Sequence, residues 1–577
     1  MEKRWILRGH DADTDLMAKV LKISPPLAHI LAGRGVRSKN TAIKFLNPLL
    51  DYMRPLDGGI MVGVAEAAEI VRKGIADGKK FCIYGDYDVD GVSGTVILHK
   101  ALTKLGGNVD YYIPHREREG YGLNIPAVEQ LAGDYQILIA VDNGIASIAE
   151  VERAVELGLT VIIIDHHQPA EVLPPANAII NPKQAHCPYP FKEMSAAGLA
   201  YKFAAHLGVG DDEGLIFAAM AAFCDVVDLV DENRIIAKNG MHLLTTKGVE
   251  NLGLATLVKL RNLEYNDIDD FAMGFIIGPC INASGRLDSA TLAVELFLTD
   301  SHERASQLAI KLVDLNDERK EMTARYVDEI IKNLPEQLDD VLVIYHEHIH
   351  ESIAGIVAGR VKEHTNHPTL IFTKAGDVAK GSARSIEAYN VFEAMNANKD
   401  LFMRFGGHPM AAGATMEIHN VDILRQRLNN ASQLTTEDFS PILYGDMQLN
   451  LEDATFSLAG DILAISPFGK ANKEPVFFSQ SVVTERAEVI GQSGQTLRLN
   501  FRDSNGRKIT AVAFKGVDKF TDFLAENYSE DVAKAFTAGR LKNMTIRMDI
   551  AYHIRINTWQ GNASVQLVIL DFKHPAT

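Results

Sequence analysis

The sequence predicts a doubly wound, mostly parallel α/β domain, then one long helix, a second α/β domain and a small C-terminal β-barrel. Three observations carry this reading. From about residue 64, short apolar runs alternate with helical stretches, the pattern of βαβ units. Residues 303–333 contain no Gly or Pro and are rich in helix formers. After about residue 440, apolar and polar residues alternate between polar turns, as in half-buried strands.

Taken in order, residues 1–60 read as short helices and loops, with Pro25-Pro26 opening one segment and Asn47-Pro48 closing another. A helix over 64–76 leads into the buried strand 81–84, a Gly/Asp loop and a further helix. Strands at 109–113, 137–141 and 161–164 follow, separated by helices such as 149–157. The second α/β pattern starts with a strand at 341–345, has another at 370–372 and runs to about Met416. Its glycine-rich stretches, 381–385 and 405–408, read as loops. In the barrel, strands are expected at 496–501, 509–514 and 544–553, with Asp503-Ser504-Asn505-Gly506 as a hairpin turn.

At 577 residues the chain exceeds what one hydrophobic core organises. Hydrophobic residues at 47% and charged residues at 23% fit a soluble globular protein. No apolar run approaches the ~20 residues that span a bilayer. The N-terminus carries acids where a secretion signal has its apolar core, so a soluble cytoplasmic protein is expected. Four scattered cysteines form no CxxC pair, which excludes a readable disulfide or zinc framework. Cys82, inside an apolar run, is expected as a small buried hydrophobe. The net charge of −17 counts against a nucleic-acid binder unless many acids are gathered at a divalent-metal site.

The acids fall where such a site belongs. In parallel α/β sheets, ligands bind beyond the carboxyl ends of the strands. Asp86, Asp88 and Asp90 follow the first predicted strand, Asp142 ends the third, and Asp165-His166-His167 ends the fourth. Three carboxylates on alternate positions repel one another unless a cation or proton neutralises them, and hard oxygen ligands suit Mg²⁺ or Mn²⁺. The run also opens like a calcium loop, but that motif needs a Glu at position 12, where this chain has Ile97. Val141-Asp142-Asn143-Gly144 taken alone is a common turn. Consecutive histidines after an acid at a strand end add imidazole donors, which favour Mn²⁺. Asp225 lies in the apolar stretch 222–227, where a lone carboxylate needs a partner or a metal.

The ordered set GDYDVDG (85–91), VDNG (141–144), DHH (165–167) and Asp225 resembles the DHH phosphoesterases. The likeness continues through Arg116 in HREREGYGL, GPCINASGRL (278–287), GSARS (381–385), RFGGHPMAAG (404–413) and PFGKANKEPVF (467–477), and is closest to the family's single-strand-specific DNA exonucleases. It implies an N-terminal helical segment, 1–60, packed on a DHH catalytic domain, 61–300. A connecting helix, 301–336, a DHHA1 domain, 337–430, and an OB-fold, 440–577, follow.

Carried over by motif, the metal ligands are Asp88, Asp90, Asp142, His166 and Asp225, holding two divalent cations, Mn²⁺ or Mg²⁺, with Asp142 as the bridge. Asp86 is an additional or outer ligand, and His167 a phosphate contact. Arg116, Arg286, Ser382 and Arg384 are expected to bind phosphate, in a pocket that sets 5′→3′ polarity. His408 either lines the same cleft or closes a structural turn. Where the family has Arg, this chain has Cys280, so one phosphate contact is absent or supplied elsewhere.

The implied activity is two-metal hydrolysis of single-stranded DNA to 5′-mononucleotides in recombination and repair. The implied setting is a monomer working with single-strand-binding protein and a helicase, away from membranes. The alternative is a small-substrate phosphoesterase acting on short oligonucleotides or cyclic dinucleotides. In the barrel, Lys470, Lys473, Arg498, Arg502, Arg507, Lys508 and Lys515, interleaved with Phe477, Phe501 and Phe514, fit a single-strand track, though each aromatic is equally a core residue.

Overall fold

The computed structural model describes residues 3–56, 60–540, 545–559 and 561–575. They form two compact units, one built from residues 50–228 and 232–441, the other from 1–49, 229–231 and 442–577. Among the described residues, no helix is long and apolar enough to cross a membrane.

In the first unit, Phe81, Cys82, Ile83 and Tyr84 are fully buried, as are Leu138, Ile139, Ala140 and Val141. Such unbroken apolar runs are what a parallel sheet covered on both faces requires. The strands lie in the order Asn108–Tyr112, Lys80–Tyr84, Ile137–Val141, Thr160–Ile164 and Ala178–Ile180, and every pairing is parallel. The chain winds outward in both directions from Lys80–Tyr84. The switch point of the sheet therefore lies between the ends of Lys80–Tyr84 and Ile137–Val141, the position where such folds bind ligands.

Helices Ala196–His206 and Asp212–Cys224 pack on Val89–Lys104. The expected long helix is His302–Asn333, capped by the Ser301 side chain on Arg304 N.

A second sheet follows in the order Phe402–His408, Ala411–Glu417, Val378–Arg384, Thr369–Ala375 and Leu342–Tyr345. Only its last pair is parallel. The glycine-rich stretches 381–385 and 405–408, expected as loops, are largely strand: residues 381–384 belong to Val378–Arg384 and residues 405–408 to Phe402–His408. The glycines serve close approach rather than turning, because a Cβ on Gly381 would lie 2.3 Å from the Phe372 ring on the neighbouring strand.

The second unit holds a closed barrel. Strands Phe477–Ile490, Thr496–Arg502, Lys508–Ala513, Asn562–Lys573 and Ile546–Trp559 pair in that order, and Ile546–Trp559 pairs back onto Phe477–Ile490. One parallel pair, Lys508–Ala513 with Asn562–Lys573, sits among antiparallel ones, as in a five-stranded OB-fold. The 503–506 turn joins an antiparallel pair, with Gly506 at φ 78°. Met544, expected in the last predicted strand, lies outside the described residues.

Phe477 and Phe501 are fully buried in the barrel core, whereas Phe514 is 68% exposed. Three of the arginines expected along a DNA track are engaged by acids: Arg498 with Glu488, Arg502 with Glu485 and Arg507 with Asp503.

The N-terminal segment is divided between the units: residues 50–60 belong to the first, where Lys202 Nζ donates to Arg54 O at 2.6 Å, and helices Pro25–Gly33 and Lys39–Leu46 place Leu27, Ile30, Leu31 and Phe45 in one core with Leu458, Ile462 and Phe477 of the barrel unit. The reason is a strand that short-range pattern does not reveal: Arg4–Leu7 pairs in parallel with Ile442–Gly445.

Candidate active site

The acids at the sheet's switch point are placed by strand and helix ends. Asp88 is the N-cap of Val89–Lys104, its Oδ1 accepting from Asp90 N at 2.9 Å and Gly91 N at 3.1 Å. Asp90, the second residue of that helix, accepts from Ala196 N at 2.8 Å and Ala197 N at 2.7 Å. Those two amides open helix Ala196–His206, so Asp90 faces the positive end of a helix dipole. Asp225 is the C-cap of Asp212–Cys224.

Asp142 follows its strand with φ 63°, a left-handed conformation that non-glycine residues adopt at a cost and that clusters at functional sites. Its neighbour Asn143 donates to Val141 O at 2.9 Å and Tyr84 O at 3.3 Å, tying the two strand ends together.

These side chains converge. His166 Nε2 lies 3.3 Å from Asp142 Oδ1, 3.6 Å from Asp225 Oδ2 and 3.8 Å from Asp90 Oδ2. Three overlapping sets, Asp86/Asp88/Asp142, Asp90/His166/Asp225 and Asp142/His166/His167, each offer ligand atoms within 4.8 Å of one another. Asp142 and His166 belong to two sets apiece.

The electrostatics call for a cation. Burial, then repulsion from Asp88, raises Asp86 well above the ordinary carboxylate range. Burial, then Asp90, Asp88, Asp86 and Asp225, does the same to Asp142. Asp90 is pushed up to about 7, again by burial and then by Asp88. Burial and neighbouring His167 lower His166 to about 4, which leaves its imidazole neutral and free to ligate. Asp86 Oδ1 and Asp142 Oδ1 are buried without a hydrogen-bond partner among the described residues. Oxygen donors in excess, one neutral imidazole and orphaned carboxylate oxygens fit Mg²⁺ or Mn²⁺.

His167 is held differently. Its Nδ1 lies 2.7 Å from Asp165 Oδ1, and Asp165 also accepts from the amides of Ile145, His166 and His167. Burial opposes charge on His167, but the Asp165 contact outweighs it and raises the imidazole pKa. For Asp165, burial is likewise outweighed by His167 and the amides, and the carboxyl stays below its usual value.

Beside the cluster opens a cleft of about 480 Å³. Arg116, Arg286, Ser382 and Arg384, all expected as phosphate contacts, line it together with Lys380 and Arg404. Burial, then the neighbouring charges of Arg116 and Arg319, lowers Arg286 to about 10, so cations are crowded here as an anion site requires. Arg384 donates to Ser382 Oγ at 2.9 Å, and Lys380 pairs with Glu351 at 2.9 Å.

His408 is exposed at the end of its edge strand and is not among the residues lining this cleft. Cys280 points away toward the long helix, donating to Ile276 O at 3.2 Å and meeting Asn316 Nδ2 at 3.5 Å. Sequence reasoning missed three cleft residues. Tyr121 donates to Asp142 O at 3.0 Å and touches His167, while Lys380 and Arg404 stand beside the glycines whose strands form the wall. Tyr121 and Lys380 adjoin Gly120 and Gly381, and Arg404 stands two residues before Gly406, which was the available signal.

Comparison with known proteins identifies the domains. Residues 80–223 match the DHH family N-terminal domain, 338–433 the DHHA1 domain and 445–571 the RecJ OB domain. The single-stranded-DNA-specific exonuclease RecJ of Bacillus subtilis is 35% identical over 98% of this chain and 70% of its own length. The Escherichia coli protein of the same name is 31% identical over 99% of both. The crystal structure of RecJ from Thermus thermophilus in complex with Mn²⁺ superposes with a TM-score of 0.82 at 24% identity, covering 100% of this chain and 80% of that one, and so shares its fold. A manganese-bound exonuclease RecJ matches with a TM-score of 0.58 at 29% identity, covering 66% of this chain and 96% of that one. With DHH, DHHA1 and RecJ-type OB domains in succession and relatives this similar from end to end, the chain belongs to the RecJ family of single-stranded-DNA-specific exonucleases.

Proposed function

We propose that this protein is a metal-dependent exonuclease that degrades single-stranded DNA from the 5′ end, releasing 5′-mononucleotides. The observation that carries it is the meeting of a carboxylate–histidine cluster with a cation-lined cleft in one unit. Asp88, Asp90, Asp142, His166 and Asp225, with Asp86 beside them, would hold two divalent cations, Mn²⁺ or Mg²⁺. When bound, such ions polarise a phosphodiester and lower the pKa of water to a useful nucleophile.

The chain's own groups do the rest. Arg116, Arg286 and Arg384 grip a terminal phosphate, their planar forks suited to its oxygens, and Ser382 adds a hydroxyl donor. That grip fixes the strand end and with it the polarity. His167, inclined to its charged form by Asp165, stands beside Asp142 to stabilise negative charge developing on the scissile phosphate. Tyr121 braces both the Asp142 backbone and the His167 ring.

The OB domain favours a polymeric substrate over a dinucleotide, because such barrels track single strands. The family resemblance further supports action in DNA recombination and repair, as a cytoplasmic monomer, beside single-strand-binding protein and a helicase.

The test is degradation of 5′-labelled and 3′-labelled single strands, and of the blunt duplex, with Mn²⁺ or EDTA. Metal-dependent release of labelled mononucleotide first from the 5′ end, with the duplex intact, is the expected result. Hydrolysis of di- to tetranucleotides or cyclic dinucleotides alone, with long strands untouched, would replace this reading with the small-substrate one.

A further inference from the structure

The two walls of the phosphate cleft come from different α/β domains of one unit. Arg116 stands in the connection after strand Asn108–Tyr112 of the first sheet, whereas Ser382 and Arg384 lie on Val378–Arg384 of the second. Donors on both walls can hold one phosphate only if the walls keep their separation, because such hydrogen bonds form over about 2.7–3.2 Å. Something must therefore tie one wall to the other.

The base of the Arg116 connection is fixed within its own domain, where Glu119 accepts from His115 N at 2.6 Å and from the Tyr112 hydroxyl at 2.5 Å. The Arg116 guanidinium lies over the Tyr87 ring, 4.9 Å from its centroid. Glu117, next to Arg116, instead reaches the second domain, its Oε1 standing 2.8 Å from His350 Nε2. His350 sits between strand Leu342–Tyr345 and helix Ala354–Thr365. Its Nδ1 lies 2.7 Å from Ser352 Oγ and accepts from Ser352 N at 3.4 Å. Ser352 O in turn accepts from Arg286 Nη1 at 2.7 Å. Three residues on, a Cβ at Gly355 would be 2.8 Å from Ser382 Oγ and 2.9 Å from Arg384 Nη2. Contacts thus run unbroken from Glu117 through His350 and Ser352 to Arg286, with Ser382 and Arg384 against the same segment.

We infer that the Glu117–His350 pair is a latch that sets the width of the phosphate cleft, and that both are positioning residues for Arg116 and Arg286; this rests on the exonuclease reading for what the cleft holds. A neutral ring with its proton on Nε2 satisfies every contact. Nε2–H donates to Glu117, and Nδ1 accepts from the Ser352 hydroxyl and amide. The latch therefore needs a hydrogen-bond acceptor at position 117 rather than a negative charge. That separates it from a plain ion pair on the rim, which contributes little when partly exposed. It also fixes a sign. An acid beside an anion pocket repels phosphate, so by charge alone the loss of Glu117 would tighten phosphate binding. Loss of the latch loosens it.

The test titrates the full chain with thymidine 5′-monophosphate in Mg²⁺ by calorimetry, which reads the phosphate grip without turnover. Glu117→Ala and His350→Ala should each raise Kd about tenfold, and the double variant should lose no more than either alone. Glu117→Gln should stay within about twofold of wild type, since its amide oxygen accepts the same Nε2–H. With Mn²⁺, the alanine variants should raise KM on a 5′-phosphorylated single strand more than on its 5′-hydroxyl counterpart, and the unfolding midpoint should not move. Alanine variants that bind the nucleotide as well as wild type, or better, overturn the latch. So does a double variant whose loss is the product of the single losses, and so does a wild type that binds no nucleotide. A wild type that binds it, with the variants as expected, but degrades neither strand leaves the latch standing and sinks the exonuclease reading instead.

Discussion

His166 Nε2 stands 3.3 Å from Asp142 Oδ1, and that oxygen, although buried, has no hydrogen-bond partner among the described residues. The pair joins the two ends of the acidic cluster, since Asp86 and Asp88 approach Asp142 from one side while Asp90 and Asp225 approach His166 from the other. A buried anion left in this state is costly, and a cation is the simplest remedy.

Stability of the metal-free protein should fall as pH rises. An unfolded aspartate titrates near 3.9, whereas Asp90 in the fold titrates at about 7 and Asp86 and Asp142 are raised as well. Between those values the folded state binds more protons than the unfolded state, so unfolding free energy declines with pH. Mg²⁺ should therefore raise the unfolding midpoint more at pH 8 than at pH 5.5. Differential scanning calorimetry with and without metal checks this, and an equal shift at both pH values would contradict it.

Asp165→Asn should lower kcat about 10- to 100-fold with little change in KM, as loss of outer partners does at metal sites. The substitution removes the contact that raises the His167 pKa. The basic limb of the kcat profile, where the charged His167 loses its proton, should move to lower pH as well, which a purely structural defect would not produce.

Arg384→Ala should reduce kcat/KM on 5′-phosphorylated strands by about 10- to 100-fold, the range of a lost charge-assisted hydrogen bond. Preference for a 5′-phosphate over a 5′-hydroxyl should shrink with it. Arg384→Lys should restore little, because a point charge cannot reproduce the fork. Steady-state kinetics on the two substrates separate these outcomes.

In the barrel, Phe501→Ala and Phe514→Ala should behave oppositely. Phe501 is fully buried, and its truncation should cost about 3–5 kcal/mol in chemical denaturation. Phe514 is exposed, so its loss should leave stability alone and weaken binding of long single strands only.

Much of the site was legible in the sequence because its acids follow apolar runs. Asp86, Asp142 and Asp165 each come just after a buried parallel strand, and strand order does the rest. The wall formed by residues 381–384 and 405–408 was not legible as strand. Glycine reads as a loop-former, and only the Phe372 ring beneath Gly381 explains why a side chain is excluded there. The Arg4–Leu7 strand was missed because its partner, Ile442–Gly445, lies far along the chain, beyond any local pattern. The barrel aromatics could not be sorted from sequence, since Phe501 faces the core from Thr496–Arg502, whereas Phe514, expected at the end of a strand, falls in the turn just beyond Lys508–Ala513.

The most direct test is to measure Mn²⁺ binding by calorimetry and nucleotide release from a 5′-labelled single strand, on wild type and Asp142→Ala in parallel. Wild type should bind two ions per chain. The variant should lose at least one of them and, with several kcal/mol of transition-state stabilisation gone, slow by about a thousandfold or more while remaining folded. A variant that binds two ions and releases nucleotides at the wild-type rate would contradict the assignment of this cluster as the catalytic metal centre.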